Sequence, residues 1–335
     1  MSAPAKVVIS RRIFPALVDE LKTRYRVVDN QADAALSAEQ LAALLADADG
    51  ALVTAGEKID AALLARCPRL KVASNIAVGF NNLDLAACTA AGVAATNTPN
   101  VLNEATADHA WALLLAAARR VGESERWLRA GHWKRWEFET LMGAELHRTT
   151  LGIVGMGRIG RAIARRARGF EMRVVYHNRT RLPASQEEGA VWMELEAVLK
   201  AADHVILVVP YSQATHHLIG ARQLAQMKPT AVLVNIARGG VVDDAALIEA
   251  LKGGRLAAAG LDVFENEPQL NAGFLALENA VLTPHIASST RATRTAMARL
   301  AIDNLDCVLA DRRPPALLNP EVWETAARAA RCALR

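Results

Sequence analysis

The sequence predicts an α/β protein in which parallel sheets are covered by helices on both faces. Short apolar runs that are typical of buried strands alternate with Ala- and Leu-rich helical stretches along most of the chain. A glycine-rich turn at residues 155–160 separates one apolar run from the next helix, and isolated polar residues follow several later runs. These observations indicate two doubly wound parallel-sheet domains, the second with a ligand site where its strands end.

The apolar runs divide into two blocks. A helical segment from about residue 103 to 130 separates them, and the second block starts at residue 150 with six strand-like runs, the number of a doubly wound domain. A helical stretch at 290–310 is too short to be a domain, so we expect it to pack back on the first block. The strands predicted in the first block are residues 6–12, 25–29, 49–54, 70–76 and 93–97.

The composition argues against several classes of protein. The chain has 335 residues, 52% of them hydrophobic, and a formal net charge of +4. No apolar stretch approaches the roughly 20 residues of a membrane-spanning helix, and no basic run carries interleaved aromatic residues. Cys67, Cys88, Cys307 and Cys332 form no CxxC pair and show no metal-ligand spacing. We therefore expect a cytoplasmic protein with no metal, no nucleic-acid partner and no membrane partner.

A turn that matches the GxGxxG pattern is the clearest ligand signal. Such spacing also occurs in ordinary turns, but here a strand-like run precedes it and a helical stretch follows. Gly155 would permit the tight turn, Gly157 the approach of phosphates, and Gly160 the packing of helix on strand. The unpaired N–H groups that open the helix would face a pyrophosphate. The residues predicted to bind the dinucleotide here are Gly155, Met156, Gly157, Arg158, Ile159 and Gly160.

The end of the next predicted strand indicates the preferred nucleotide. Residues 177–181 read HNRTR and lack the carboxylate with which an NAD enzyme binds the ribose hydroxyls. A carboxylate would repel the 2′-phosphate of NADP, whereas a guanidinium binds it. Asn178, Arg179 and Thr180, helped by Arg181, are therefore predicted to bind NADP in preference to NAD. The alternative is that both arginines are solvated loop residues.

Three polar residues follow later strand-like runs and suggest a catalytic set. Arg238 precedes two glycines, Glu267 lies in an acidic run, and His285 follows a proline. Reduction of a keto acid needs a carboxylate anchor, a proton donor and a hydride source. Arg238 offers a planar fork for the carboxylate, and His285 can donate the proton if Glu267 favours its charged form. Each residue alone has a structural explanation, but together they predict catalysis.

At these residues the sequence resembles the D-isomer-specific 2-hydroxyacid dehydrogenase family, from about residue 40 to 320. The motifs are NIAVGFNNLD at 75–84, the glycine turn, ARGG at 237–240, ENEP at 265–268 and PHIA at 284–287. The resemblance implies that Arg238, Glu267 and His285 are catalytic. It also implies that the N–H groups of Val78 and Gly79 share the substrate carboxylate with Arg238.

The resemblance extends the expected site. Ser288 is expected to contact the substrate, and Asp262 to hold the nicotinamide carboxamide. Further residues are expected to bind the cofactor: Val209, Pro210, Thr215, Ile236, Ala237 and His285. There are two departures from the family pattern. Asn81 stands where many relatives have Asp, and the loop at 210–215 (PYSQAT) lacks the second proline of the usual Pro-Leu-Thr-Pro-Glu-Thr sequence.

The resemblance also implies the domain organisation. A Rossmann-type nucleotide domain, residues 104–286, would be inserted into a flavodoxin-like substrate domain of residues 1–103 and 287–320, leaving a tail at 321–335. A cleft between the domains and a homodimer with the helix after Asn103 at its interface are further expectations.

Within the family, the chain resembles most the glyoxylate/hydroxypyruvate reductases, including those that act on 2-ketogluconate. The motifs are GHWKRW at 131–136 and the HNRTR strand end. The expected activity is reduction of a small 2-keto acid by NADPH to the D-2-hydroxy acid. Two alternatives stay open: an NAD(P) oxidoreductase for formate, phosphite or a phosphorylated hydroxy acid, and a dinucleotide-sensing binding protein.

Overall fold

The structure is a computed structural model that describes residues 4–333, and it divides the chain into two compact units. The terminal unit contains the described residues up to Leu102 and from Thr290 onward, and the central unit is Asn103–Ser289. The strands are β1 Lys6–Ile9, β2 Arg26–Asp29, β3 Gly50–Val53, β4 Val72–Asn75, β5 Ala94–Thr96, β6 Thr150–Val154, β7 Arg173–His177, β8 Val191–Trp192, β9 His204–Leu207, β10 Val232–Asn235, β11 Ala258–Leu261 and β12 Ala280–Leu282. The α-helices are α1 Pro15–Lys22, α2 Ala38–Leu45, α3 Ala61–Ala65, α4 Leu85–Ala90, α5 Asn103–Ala118, α6 Val121–Arg129, α7 Arg158–Ala167, α8 Leu195–Ala201, α9 Ala221–Leu224, α10 Asp244–Lys252, α11 Arg291–Leu309 and α12 Ala326–Ala333.

The terminal unit is built on a five-stranded parallel sheet in the order β2-β1-β3-β4-β5. This is the flavodoxin-like order, with the reversal between β1 and β3. Helix α11 packs on the sheet, where Ser74 donates a hydrogen bond to the carbonyl of Ala301 over 2.8 Å. A Cβ on Gly50 would lie 3.2 Å from Leu305, so the small residue in β3 lets the helix approach closely.

The central unit carries a seven-stranded parallel sheet in the order β12-β11-β10-β9-β6-β7-β8. Alternate strand residues face two separate hydrophobic cores, as expected when helices cover both faces. Ile153 and Tyr176 lie in one core, whereas Leu207 and Leu233 lie in the other. The two sheets confirm the predicted α/β class with two doubly wound domains. No described helix is long and apolar enough to cross a membrane.

The structure differs from the sequence prediction at several elements. The strand β8 was not predicted, because its two residues at the sheet edge leave no apolar run to detect. The segment predicted as one helix at 103–130 is divided into α5 and α6 by Arg120, whose φ of 53° is left-handed and ends α5. The first-block strands are three or four residues long, shorter than the apolar runs that predicted them.

The residues predicted as a separate tail belong to the terminal unit as far as they are described. The guanidinium of Arg331, in α12, donates hydrogen bonds to the carbonyls of Ala91, Cys67 and Leu70. A Cβ on Gly92 would lie 2.4 Å from the backbone nitrogen of Arg328, so α12 packs directly against the backbone at Gly92. The unit therefore extends beyond the predicted boundary at residue 320, because these contacts join residues far apart in the sequence.

Candidate functional site

The glycine turn lies between β6 and α7 in the central unit. Gly155 has a φ of +103°, and a Cβ there would lie 2.8 Å from backbone atoms of Val208 and Val209. A Cβ on Gly160 would lie 2.4 Å from the Gly155 carbonyl oxygen. A Cβ on Gly157, in contrast, would meet nothing within 4 Å. Packing thus requires glycine at 155 and 160, while Gly157 leaves open space in front of the helix.

The start of α7 is chemically suited to a pyrophosphate. Gly157 is the N-cap and provides no side-chain cap, and the first turn has no acidic residue. Within residues 4–333, the amides of Arg158, Ile159 and Gly160 donate to no partner. Free N–H groups and the positive end of a ten-residue helix attract anionic phosphates. The residues present therefore fit a dinucleotide.

The strand end at His177 lies beside this turn, because Val154 and His177 are register partners in β6 and β7. Asn178 Oδ1 accepts a hydrogen bond of 2.6 Å from the Met156 N–H, so this side chain fixes the turn. Arg179 and Thr180 are exposed. Within the described chain, the Arg179 guanidinium has no hydrogen bond or ion pair, so it is free to bind a ligand phosphate.

Arg181 does not fit its predicted role as a helper in nucleotide binding. Its Nε donates to Glu187 Oε1 over 2.9 Å, and Tyr176 donates to the same oxygen. The hydrogen bonds from Arg181 and Tyr176 hold the pKa of Glu187 below its ordinary value. The guanidinium is thus engaged by a carboxylate six residues along the chain. Three arginines at the C-terminal end of α7 and directly after it are similarly paired, and together they bind Glu104, Asp108 and Glu188: Arg165, Arg166 and Arg168.

Arg238, Glu267 and His285 are brought together in the central unit. His285 Nδ1 lies 2.7 Å from Glu267 Oε2, and Glu267 Oε1 accepts a hydrogen bond from the Phe264 N–H. Burial raises the pKa of Glu267. The hydrogen bonds from His285 and Phe264 and the charge of Arg238 outweigh that effect, so the pKa lies below its ordinary value. Glu267 is therefore a carboxylate near neutral pH, facing the histidine.

The turn after β10 fixes the backbone of Arg238. Asn235 accepts a hydrogen bond from the Ala237 N–H and donates one to the Arg238 carbonyl. A Cβ on Gly239 would lie 1.9 Å from the Phe264 carbonyl, so glycine is required where the two loops meet. The half-buried guanidinium of Arg238 donates to the Ala237 carbonyl over 2.7 Å and retains further N–H groups for a ligand. Ile236 and Ala237 are buried.

Asp262 anchors the loop that carries His285. Its Oδ1 accepts hydrogen bonds from Thr283 Oγ1 (2.6 Å) and the Ile286 N–H (2.8 Å), and its Oδ2 accepts one from the Ala287 N–H (2.8 Å). The Asp262 carbonyl accepts the His285 N–H, which holds His285 at a left-handed φ of 53°. The carboxylate expected to hold the nicotinamide carboxamide therefore also sets the position of the predicted proton donor.

His109 is part of the same network, although no sequence motif predicted it. Its Nε2 lies 3.0 Å from Thr283 Oγ1 and 3.3 Å from Asp262 Oδ1. The residue lies in α5 between Asp108 and Ala110, 174 positions from Thr283, and only the fold brings His109 and Thr283 together. Ser288, also in the central unit, follows the loop that carries His285 and is half-buried.

The loop at 209–215 lacks the second proline of the family pattern and is closed by hydrogen bonds of Thr215. Thr215 Oγ1 donates to the Pro210 carbonyl over 2.9 Å and accepts a hydrogen bond from the Ser212 N–H over 2.8 Å. This closed turn fixes the loop next to Val209, which borders Gly155. The departure from the family motif therefore leaves an ordered turn.

Val78 and Gly79 lie in the terminal unit, in the loop that follows β4. Within residues 4–333, their backbone N–H groups donate to no partner. Among the described residues, no group of three or more His, Cys, Asp or Glu side chains is placed to hold a metal ion. The four cysteines are free thiols.

Comparison with known proteins identifies the family. The sequence model of the D-isomer specific 2-hydroxyacid dehydrogenase NAD binding domain matches residues 111–287. A glyoxylate reductase from Pyrococcus furiosus is 47% identical over 322 residues, which is 95% of this chain and 96% of that protein. The crystal structure of a glyoxylate reductase from Paecilomyes thermophila has a TM-score of 0.86 and 33% identity, and the match covers 96% of this chain and 99% of that one.

A second solved structure was determined with ligands. An NADPH-dependent glyoxylate/hydroxypyruvate reductase from Sinorhizobium meliloti, in complex with NADP and malonate, has a TM-score of 0.85 and 35% identity, and the match covers 96% of this chain and 98% of that one. The fold, the glycine turn and these similarities agree with the resemblance read from the sequence motifs. The chain belongs to the D-isomer specific 2-hydroxyacid dehydrogenase family and is an NAD(P)-dependent dehydrogenase of the glyoxylate reductase type.

Proposed function

We propose that this enzyme reduces a small 2-keto acid, glyoxylate or hydroxypyruvate first and 2-ketogluconate next, to the D-2-hydroxy acid with NADPH. The observation that carries the proposal is the His285–Glu267 contact of 2.7 Å beside the positive charge of Arg238. A proton donor and a carboxylate anchor are the two groups that reduction of a keto acid requires from the protein. The names of the similar glyoxylate reductases support the same reaction.

The residues have distinct roles in this proposal. Arg238 binds the substrate carboxylate through its planar fork, and the N–H groups of Val78 and Gly79 are further donors to a carboxylate. Because Glu267 occupies Nδ1 of His285, Nε2 carries the proton that passes to the carbonyl oxygen. The dinucleotide supplies the hydride when bound. Ser288 is proposed to contact the substrate.

The cofactor is held by the glycine turn and the first turn of α7. We propose that Arg179 binds the 2′-phosphate of NADP, with Thr180 nearby, because its guanidinium is exposed and has no partner within residues 4–333. Asn178 positions the turn through Met156 and adds no negative charge. Asp262 retains acceptor capacity on Oδ2 for the carboxamide, since only the Ala287 N–H is bound there. The remaining contacts are proposed at Val209, Pro210, Thr215, Ile236 and Ala237.

We also propose that the enzyme is a homodimer. Six large apolar side chains are exposed within residues 121–142: Val121, Leu128, Trp133, Trp136, Phe138 and Met142. Such a concentration of exposed apolar surface is typical of a protein interface. A second copy of the chain fits this surface because α5, which the family resemblance places at the interface, leads directly into it.

One screen tests the reaction. Consumption of NADPH is followed with glyoxylate, hydroxypyruvate, 2-ketogluconate and pyruvate, and consumption of NADP in the reverse direction with formate and phosphite. We expect turnover with the small keto acids and none with formate or phosphite. Turnover of formate or phosphite alone would replace the proposed activity with another oxidoreductase reaction. NADPH binding without any turnover would favour the dinucleotide-sensing alternative.

A further inference from the structure

The loop at residues 77–80 is held from one side by polar groups at the end of β4 and directly after β5. Asn97 Nδ2 donates to the Val78 carbonyl over 2.8 Å, and Asn75 Nδ2 donates to the Gly79 carbonyl over 2.9 Å. The carbonyl of Ala77 accepts the Thr98 N–H over 3.0 Å. Three consecutive carbonyl oxygens of the loop are therefore bound by the strand ends.

The planar geometry of the peptide bonds determines the direction in which the N–H groups of the loop point. In a planar trans peptide, the C=O of one residue and the N–H of the next point in opposite directions. Binding the carbonyls of Ala77, Val78 and Gly79 to the strand ends therefore turns the N–H groups of Val78, Gly79 and Phe80 away from them. These N–H groups have no acceptor among the described residues, and successive N–H groups with one orientation form an anion-binding concavity.

The two asparagines are themselves rigidly held. Asn75 is fully buried and lies 3.3 Å from Asn82 Oδ1, while Asn82 Nδ2 donates to the carbonyls of Thr54 (2.9 Å) and Glu57 (3.0 Å). The Asn97 carbonyl accepts a hydrogen bond of 3.1 Å from Asn304, in α11. The Asn75 side chain is thus held by Asn82, which is bound in turn to the segment after β3, and the backbone at Asn97 is held by α11.

We infer that Asn75 and Asn97 are positioning residues that orient the N–H groups of Val78 and Gly79 for the substrate carboxylate. The inference rests on the proposed function of that loop and adds two side chains that do not touch the substrate. An asparagine suits the role because its amide donates to a carbonyl, whereas the isosteric aspartate cannot donate and repels the same oxygen.

The test compares Asn97→Asp and Asn75→Asp with Asn319→Asp. Asn319 is a buried amide beside the same sheet that donates to the Val93 carbonyl and does not contact the loop, so it controls for loss of a buried donor. We expect KM for glyoxylate to rise about three- to tenfold in each loop variant, the effect of one lost hydrogen bond. The Kd of NADPH and the kcat at saturating substrate should stay within about twofold, since the other groups are unchanged. The control should keep the wild-type KM.

A second probe separates this inference from the reaction itself. The Kd of oxamate, a carboxylate that is not reduced, is measured with the enzyme–NADPH complex by quenching of cofactor fluorescence. Weaker oxamate binding in the loop variants supports the inference even if no keto acid is turned over. Unchanged KM and unchanged oxamate Kd in folded Asn97→Asp would overturn it while leaving the reaction intact. If Asn97→Asp does not fold, the uncharged Asn97→Ser variant replaces it, with the same two outcomes.

Discussion

Arg238 is expected to bind the substrate carboxylate with two parallel hydrogen bonds, which a lysine cannot reproduce. Arg238→Lys should therefore lose about 2–4 kcal/mol of transition-state binding, a fall of roughly 30- to 900-fold in kcat/KM for glyoxylate. The affinity for NADPH should hardly change. Steady-state kinetics and cofactor titration measure both quantities. Wild-type kcat/KM in the variant would remove Arg238 from the site.

Glu267 faces His285 as a carboxylate, because its pKa is held below the ordinary value. The carboxylate at Nδ1 supports the proton donation proposed for His285, so Glu267→Gln should lower reductive kcat/KM for glyoxylate about tenfold or more. The Kd of NADPH should stay within about twofold. Steady-state kinetics and cofactor titration of both proteins measure these quantities. Wild-type kcat/KM in the variant would show that Glu267 does not assist the histidine.

Asp244 is a buried carboxyl at the start of α10. Burial raises its pKa from the ordinary 3.8 to about 6, and the neighbouring Glu265 and Asp243 charges act in the same direction. Since the native pKa lies above the unfolded one, the native state loses stability as the pH rises through about 4 to 6. Asp244→Asn keeps an acceptor for the Glu265 N–H and removes this cost. We expect it to stabilise the protein by about 1–3 kcal/mol at pH 8.

The pH dependence makes this prediction specific. The difference in the free energy of unfolding between Asp244→Asn and wild type should shrink at about pH 5, where the native carboxyl is mostly protonated. Chemical denaturation at both pH values measures it. The adjacent Asp243→Asn serves as control, since asparagine is an equally good N-cap and this change removes only the smaller contribution of the Asp243 charge, so a much smaller gain is expected. A variant that is less stable than wild type at pH 8 would contradict the prediction.

At the scale of elements, the end of β7 and the start of α7 act together in cofactor choice. The double variant Asn178→Asp and Arg179→Ala should keep the turn, because Asp can still accept the Met156 N–H. It removes the free guanidinium and adds a charge that repels the 2′-phosphate. A charge-assisted hydrogen bond contributes about 1.5–3 kcal/mol, and solvent exposure favours the lower value, so NADPH efficiency should fall about tenfold or more. NADH efficiency should rise modestly.

The cofactor preference of the wild-type enzyme is measured first, as kcat/KM with NADPH and with NADH. We expect a higher kcat/KM with NADPH than with NADH. Equal or better efficiency with NADH would exclude the proposed preference, whatever the variant does. Arg181→Ala is the matched control, because that guanidinium is bound to Glu187 and should not contribute to cofactor choice.

At the scale of the whole molecule, the exposed aromatic side chains predict the oligomeric state. Trp136 and Phe138 are 76% and 84% exposed, so Trp136→Ser with Phe138→Ser should leave the fold intact and weaken a dimer. Sedimentation or light scattering should show a dimer for wild type and a shift toward monomer for the variant. Leu275→Ser is the control, because Leu275 is 70% exposed but lies outside this segment. A monomeric wild type would refute the dimer.

The class of fold, the dinucleotide turn and the order of the predicted catalytic residues follow from the amino-acid sequence alone, because these depend on local patterns. Apolar runs alternate with helices, and Gly155 and Gly160 occupy positions where a side chain would collide with nearby backbone. The resemblance carried by five motifs then indicated the family, which the comparisons with known proteins confirm.

The pairing of polar groups, in contrast, depends on the tertiary structure. It engages Arg181 with Glu187, leaves Arg179 free among the described residues, and joins His109 to Thr283 across 174 positions. It also places the Asn97 amide on the carbonyl of Val78. The physical reason is that a hydrogen bond depends on distance and direction in space, which spacing along the chain does not fix when the partners lie on different elements. Burial likewise raises the pKa of Asp244, and burial depends on the packing of elements that are distant in the sequence.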